Sequence, residues 1–255
     1  MDELFGTLFG NTPLSQQLMY LQMELGTAIW ETIYSTIVAT FFSYVIGLPL
    51  GVILVTGEKG GVRPLPGWLM KVLNTVVNLL RSVPFLILMV MVIPLSRMIV
   101  GTSVGTTASI IPLICAAFPF VARLVEASLR ETDKGILEAA QAMGCTPMQI
   151  IRKVMLPEAL PSLLIGFTTA FITILSYGAM SGAIGGGGLG SLAINYGYQR
   201  QMYFILYVSV VILVVMVQVF QSLGTHFAVA LDRRVTSKRS KSTRKAHRGE
   251  KAGLQ

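Results

Sequence analysis

Apolar positions in this chain fall in long unbroken runs separated by short polar connections. A membrane-crossing helix needs about 20 consecutive apolar residues. Five stretches meet that length: Ile33–Val55, Val76–Ser96, Thr106–Val125, Leu160–Ala183 and Phe204–Leu223. The runs are continuous rather than alternating. In hydrocarbon only helices and closed barrels satisfy the backbone, so the pattern predicts an all-α polytopic membrane protein with five transmembrane helices. Residues 1–28 are mixed and hold only Asp2, Glu3 and Glu24 as charges, which predicts an external or interfacial lead. Residues 29–231 form the transmembrane domain, with one sizeable loop at 126–159. Residues 232–255 are poor in apolar side chains and are expected to be a disordered basic tail.

Composition supports this reading: 53% of residues are hydrophobic and only 13% charged, against about 25% charged in a soluble domain. The net charge of +8 raises the question of nucleic acid, and its distribution answers it. Lys59, Arg63, Lys71 and Arg81 lie between or beside the first two spans. Arg123, Arg130, Lys134, Arg152 and Lys153 lie around the 126–159 loop, and the rest of the basic residues lie in the tail, except for Arg97 and Arg200. Basic residues mark cytoplasmic connections, so the N-terminus is expected outside and the C-terminus in the cytoplasm. The basic tail is then a topogenic segment that touches anionic lipid, with no nucleic-acid partner. Asp2 and Glu3 stand where a cleavable signal peptide needs positive charge, and Cys115 and Cys145 fit neither a disulfide framework nor a metal site.

Within the spans, Gly47-x-x-x-Gly51 surrounds Pro49. Small residues at this spacing let helices approach closely, here within the chain rather than between subunits. Span four is rich in hydroxyls. Thr169, Thr173, Ser176 and Met180 follow one helical face, with Tyr177 beside them. That face either lines a translocation path, with Met180 as an apolar gate, or its hydroxyls bond back to carbonyls one turn earlier or to neighbouring helices.

The 126–159 loop reads as two short capped helices. Asp133 is the N-cap of the first, near Lys134–Met143, and Gly144 its left-handed stop. Thr146, Pro147 and Gln149 form a capping box at the start of the second, and Pro157 ends it or kinks the chain into span four. Such a pair either presents a docking surface or lies on the membrane. Ala139 and Ala140 would let a partner approach closely, and Met143 and Met148 would be adaptable contacts.

The residues Glu138-Ala139-Ala140, then Gly144, then Leu156-Pro157 resemble the EAA loop of ABC-importer permeases. In that family the loop forms a coupling helix seated in a groove of the ATPase. The resemblance implies that Glu138, Ala139, Ala140, Met143, Gly144, Thr146, Met148, Leu156 and Pro157 meet such a partner. Arg81-Ser-Val-Pro-Phe85, Gly101-Thr-Ser-Val-Gly105, the stretch Met143–Pro161 and Gly185–Gly190 followed by Tyr196-Gly-Tyr198 are similar to the methionine-uptake permeases. This similarity covers roughly residues 28–230. It implies a homodimer in the bacterial inner membrane, joined to two copies of a cytoplasmic ATPase and fed by an extracytoplasmic binding protein. It further implies methionine or a close derivative as cargo, or another small amino acid or osmolyte.

No engine is visible in the chain itself. A G-x-x-x-x-G-K-[ST] phosphate loop does not occur, so ATP and Mg are expected on the partner and no cofactor on this chain. Gly185, Gly187 and Gly190 satisfy G-x-G-x-x-G by accident, because no βαβ unit surrounds them; a flexible or close-packed re-entrant turn is expected there. His226 and His247 form no hydrolytic set. Glu31 and Glu126 sit at span ends, leaving the interiors without the acids of proton-coupled transport. That disfavours the rival class, a secondary transporter or channel.

Overall fold

The computed structural model describes residues 12–231; every regular element among them is a helix. The expected tail at 232–255 and the first residues of the lead lie outside the described residues. Helix α1, Leu14–Thr56, runs for 43 residues, about 65 Å at 1.5 Å per residue. Residues 14–28, expected as a separate lead, are its first turns. Leu21 and Ala28 of this segment pack against Leu189, Leu192, Met202 and Ile205. Gln17, fully buried, accepts the backbone N–H of Phe204 at 3.2 Å.

Farther along α1, Thr36, Ala39, Ser43, Gly47 and Gly51 form a buried stripe of small side chains. It faces α4, Thr106–Arg130. A Cβ at Gly47 would lie 2.9 Å from the Phe118 carbonyl oxygen, and one at Gly51 2.6 Å from that of Ala122. The two backbones are therefore in contact, and the Gly47-x-x-x-Gly51 motif packs within the chain, as its sequence reading held.

The expected span Val76–Ser96 is not one helix. The structure divides it into α2, Gly67–Ser82, and α3, Phe85–Val100, whose axes meet at 107°. The cause is Pro84. It has no N–H to continue the ladder, and its ring disfavours helical dihedrals at the residue before it. Val83 is accordingly extended, at φ −78° and ψ 127°. Helix α3 packs along α4, while α2 turns away across its end.

Helices α5, Lys134–Ala142, and α6, Pro147–Ile150, follow α4. A π-helical segment, Ile151–Met155, leads to α7, Leu156–Glu158, and then to α8, Leu160–Ser181. The Leu156 N–H reaches back five residues to the Ile151 carbonyl, and Pro157 has no N–H to restore the tighter pattern. After a 3₁₀ turn, Gly182–Ile184, come α9, Gly188–Ser191, a π-helical segment, Leu192–Gln199, and α10, Tyr203–Leu231. Four helices, α1, α4, α8 with its 3₁₀ turn, and α10, are long and apolar enough to cross a membrane, and the count reaches five if the bent α2–α3 pair is taken as one span.

Candidate functional site

The expected site residues fall on two surfaces: the α5–α6 loop and the open face of α8. In the loop, every predicted cap forms. The Asp133 carboxylate accepts the Gly135 N–H at 2.7 Å. The Gln149 N–H donates to the Thr146 hydroxyl at 3.4 Å, and the Gln149 side chain accepts the Thr146 N–H at 2.8 Å. Gly144 takes φ +77°, a conformation that costs other L-residues about 1–2 kcal/mol.

The loop rests on the bundle through Ala140, Ile150 and Met155, buried with Val121, Val125 and Leu129 of α4. Ala140 thus points inward, and its smallness serves packing inside the chain rather than a partner's approach. Leu156 is half-buried, whereas Glu138, Ala139, Met143, Gly144, Thr146, Met148 and Pro157 are exposed. Met143 is 76% exposed and Met148 50%. A polar and apolar patch is therefore held rigidly outward on a buried base. Glu138 also borders a cavity of 230 Å³ shared with Lys134, Gln141 and the Gly60–Val62 turn.

Sequence reasoning missed the network that steadies this base. Glu126, expected at a span end, lies within α4, largely buried. It accepts from Arg123 and, at 2.8 Å, from Arg130. Arg130 also forks onto Glu58, just beyond α1, at 2.5 and 3.0 Å. Its hydrogen bonds hold the Glu58 carboxyl below the usual carboxylate range. Arg123 reaches Asn74 and Asn78 of α2 at 2.9 Å each. One buried carboxylate thereby ties together α1, α2 and α4.

On α8, Thr169, Thr173 and Ser176 each donate to the carbonyl four residues earlier, at 2.9, 2.8 and 3.1 Å. Back-bonding leaves the face open nonetheless: Thr169, Ser176 and Met180 are exposed and Thr173 is half-buried. Ser176 and Met180 border an open cavity of about 490 Å³, together with Leu213, Val217 and Gln218 of α10. Tyr177 turns aside and stacks on Phe85, ring centroids 4.3 Å apart at 8°. Gln218 is the other missed residue, its signal being an amide in the apolar run of α10, three residues before Gln221.

The glycine-rich turn leans on α1. Glu31, also expected at a span end, is inside α1 and accepts the Gly188 N–H at 2.7 Å. The neighbouring Thr32 hydroxyl accepts the Leu189 N–H at 2.9 Å. Gly188 has φ +81°, and a Cβ there would lie 2.6 Å from that hydroxyl. The turn is close-packed, with no strand near it among the described residues.

This arrangement, long helices around a capped and outward-facing loop pair, is matched by known proteins. Residues 47–237 match the family described as Binding-protein-dependent transport system inner membrane component. The chain belongs to this family. This inner-membrane component is similar to the probable D-methionine transport system permease protein MetI of Vibrio cholerae serotype O1. The two are 52% identical over 209 residues, 82% of this chain and 92% of that protein. It is 47% identical to the D-methionine transport system permease protein MetI of Escherichia coli K12, over 66% of this chain and 76% of that one. Among solved structures, an inward-facing MetNI methionine ABC transporter aligns with TM-score 0.81 and 44% identity, covering 84% of this chain and 98% of that one. An amino acid ABC transporter with histidines shares the fold alone, at TM-score 0.69 and 22% identity.

Proposed function

We propose that the chain is the permease subunit of an ATP-driven importer that carries methionine or a close derivative across the inner membrane. The observation that carries this reading is the capped α5–α6 pair, held outward on a buried base in a chain whose named relatives move D-methionine. Glu138, Ala139, Met143, Gly144, Thr146 and Met148 form the docking face for a cytoplasmic ATPase. Leu156 and Pro157 set the turn that links it to α8. Hydrolysis of ATP with Mg takes place on that partner, two copies of which serve a homodimer of this chain, and an extracytoplasmic binding protein delivers cargo. The distribution of basic connections supports a cytoplasmic loop and an external N-terminus.

The open face of α8, from Thr169 through Thr173 and Ser176 to Met180, lines the pathway in the dimer. Five helices enclose a pathway poorly, and a second copy would complete it. Tyr177, stacked on Phe85, holds that face in place rather than lining it.

The test is uptake in a methionine auxotroph stripped of its own importer and given this chain with its ATPase and binding protein. Growth on D-methionine and loss of labelled uptake on ATP depletion, with ion gradients held, are expected. Uptake that survives ATP depletion would overturn the reading. Glu138→Lys should leave membrane insertion intact but abolish co-elution of the ATPase.

A further inference from the structure

Helix α2 carries a surface that neither the pathway nor the docking loop uses. Its inner face, Met70 and Val77, packs on Leu54 of α1, and its Asn74 and Asn78 accept from Arg123 of α4. Leu54 and Arg123 lie within about 10 Å, or two helical turns, of the ends of α1 and α4. Helix α3 runs along α4, and α2 departs from its axis by 107°. So α2 lies across the ends of the spanning helices, close to the plane of the membrane.

On the outer face, Trp68, Val72, Val76 and Leu79 fall at i, i+4, i+8 and i+11, one stripe. All four are exposed, Trp68 by 69% and Leu79 by 66%. Lys71, Asn74, Asn78 and Arg81 follow a separate edge. Lys59 and Arg63 precede the helix, and no Asp or Glu occurs from residue 59 to residue 81. An apolar stripe with tryptophan at one end, edged by uncompensated cations, suits the boundary between acyl chains and anionic headgroups. A second copy of this chain would have to cover the same stripe beside like charges.

We propose that α2 is an interfacial helix that seats the permease on anionic lipid, with Trp68, Val72, Val76 and Leu79 at the acyl boundary and Lys71 and Arg81 at lipid phosphates. Which leaflet holds it follows from the orientation proposed above. Depth and lipid preference are read regardless of orientation, so either can fail alone.

The chain has two tryptophans, and Trp30→Phe leaves Trp68 as the only reporter. The full-length variant is reconstituted in bilayers whose lipids carry bromine either high on the acyl chain or near its methyl end. Quenching of Trp68 several-fold stronger by the shallow bromines is expected. Stronger quenching by the deep ones would make α2 half of a span, and quenching by neither would mean that a second copy covers it; both overturn the proposal. In the second arm, spin-labelled phosphatidylglycerol and phosphatidylcholine compete for the protein boundary. The native chain should prefer phosphatidylglycerol at least twofold, and Lys71→Gln/Arg81→Gln should lose that preference. Equal association with the native chain, or a preference untouched by the double substitution, would overturn the anionic-lipid assignment.

Discussion

At one end of the bundle, α5 and α6 close on their own sequence neighbours. Asp133 bonds to Gly135, Thr146 and Gln149 bond to each other, and Gly144 supplies the single left-handed residue between them. At the other end, the glycine-rich turn closes on side chains 157 positions away, Glu31 and Thr32 of α1. The difference separates two ways of holding a functional element. The loop pair has its shape locally and needs the bundle only as a base. The turn takes its shape from the helix it leans on, so damage there is damage to the fold.

The largest expected effect follows from that contrast. Gly190 packs against the Ala179 carbonyl with no room for a side chain. Gly190→Val should cost about 3 kcal/mol, the upper end for overpacking, and abolish monodisperse protein in detergent. A variant that elutes and melts like the native chain would mean that the turn is not built by close packing.

Next comes the clasp. Glu31→Ala leaves the Gly188 N–H without its acceptor, a loss of about 1–3 kcal/mol, read as a lower melting temperature. Glu31→Gln keeps an acceptor and should recover most of it. If alanine and glutamine variants melt alike, the Glu31 contact contributes nothing.

On the docking side, Gly144→Val should cost about 1–2 kcal/mol of local geometry. Thr146→Ala should cost about 1 kcal/mol. Both should impair ATPase co-elution and coupled uptake far more than melting temperature. A melting loss as large as that of Gly190→Val would erase the distinction between the two ends.

The smallest effect is electrostatic. Glu58 has a lowered folded-state pKa because Arg130 hydrogen-bonds to it. Its stabilisation is fully present above the ordinary carboxylate range and lost as pH falls through the lowered value. Both side chains are nearly half exposed, so the effect stays within the roughly 0–1 kcal/mol of surface pairs. The melting difference between the native chain and Glu58→Gln should be greatest at neutral pH and vanish on acidification. A difference that grows on acidification would reverse the assigned sign.

Much of this protein was written locally in its sequence. Run length gave four of the five expected spans as single helices, because the bilayer imposes a fixed apolar length on any helix that spans it. The caps at Asp133, Gly144 and Thr146 were legible because each bond closes within a few residues. The pattern of back-bonding hydroxyls on α8 was legible for the same reason. Only the tertiary structure could decide the rest. Pro84 was visible, but the 107° turn it permits depends on α2 finding Leu54 and Arg123. Ala139 and Ala140 are identical in sequence terms, yet one faces out and the other packs on α4, since only the seating of α5 fixes its rotation. Glu31 and Glu126 looked like span-end charges because hydropathy counts residues and not partners. Glu31 is held by a glycine N–H 157 residues away. Glu126 meets Arg123 and Arg130 on its own helix, at i−3 and i+4, and only the onward bonds to Glu58, Asn74 and Asn78 needed the fold.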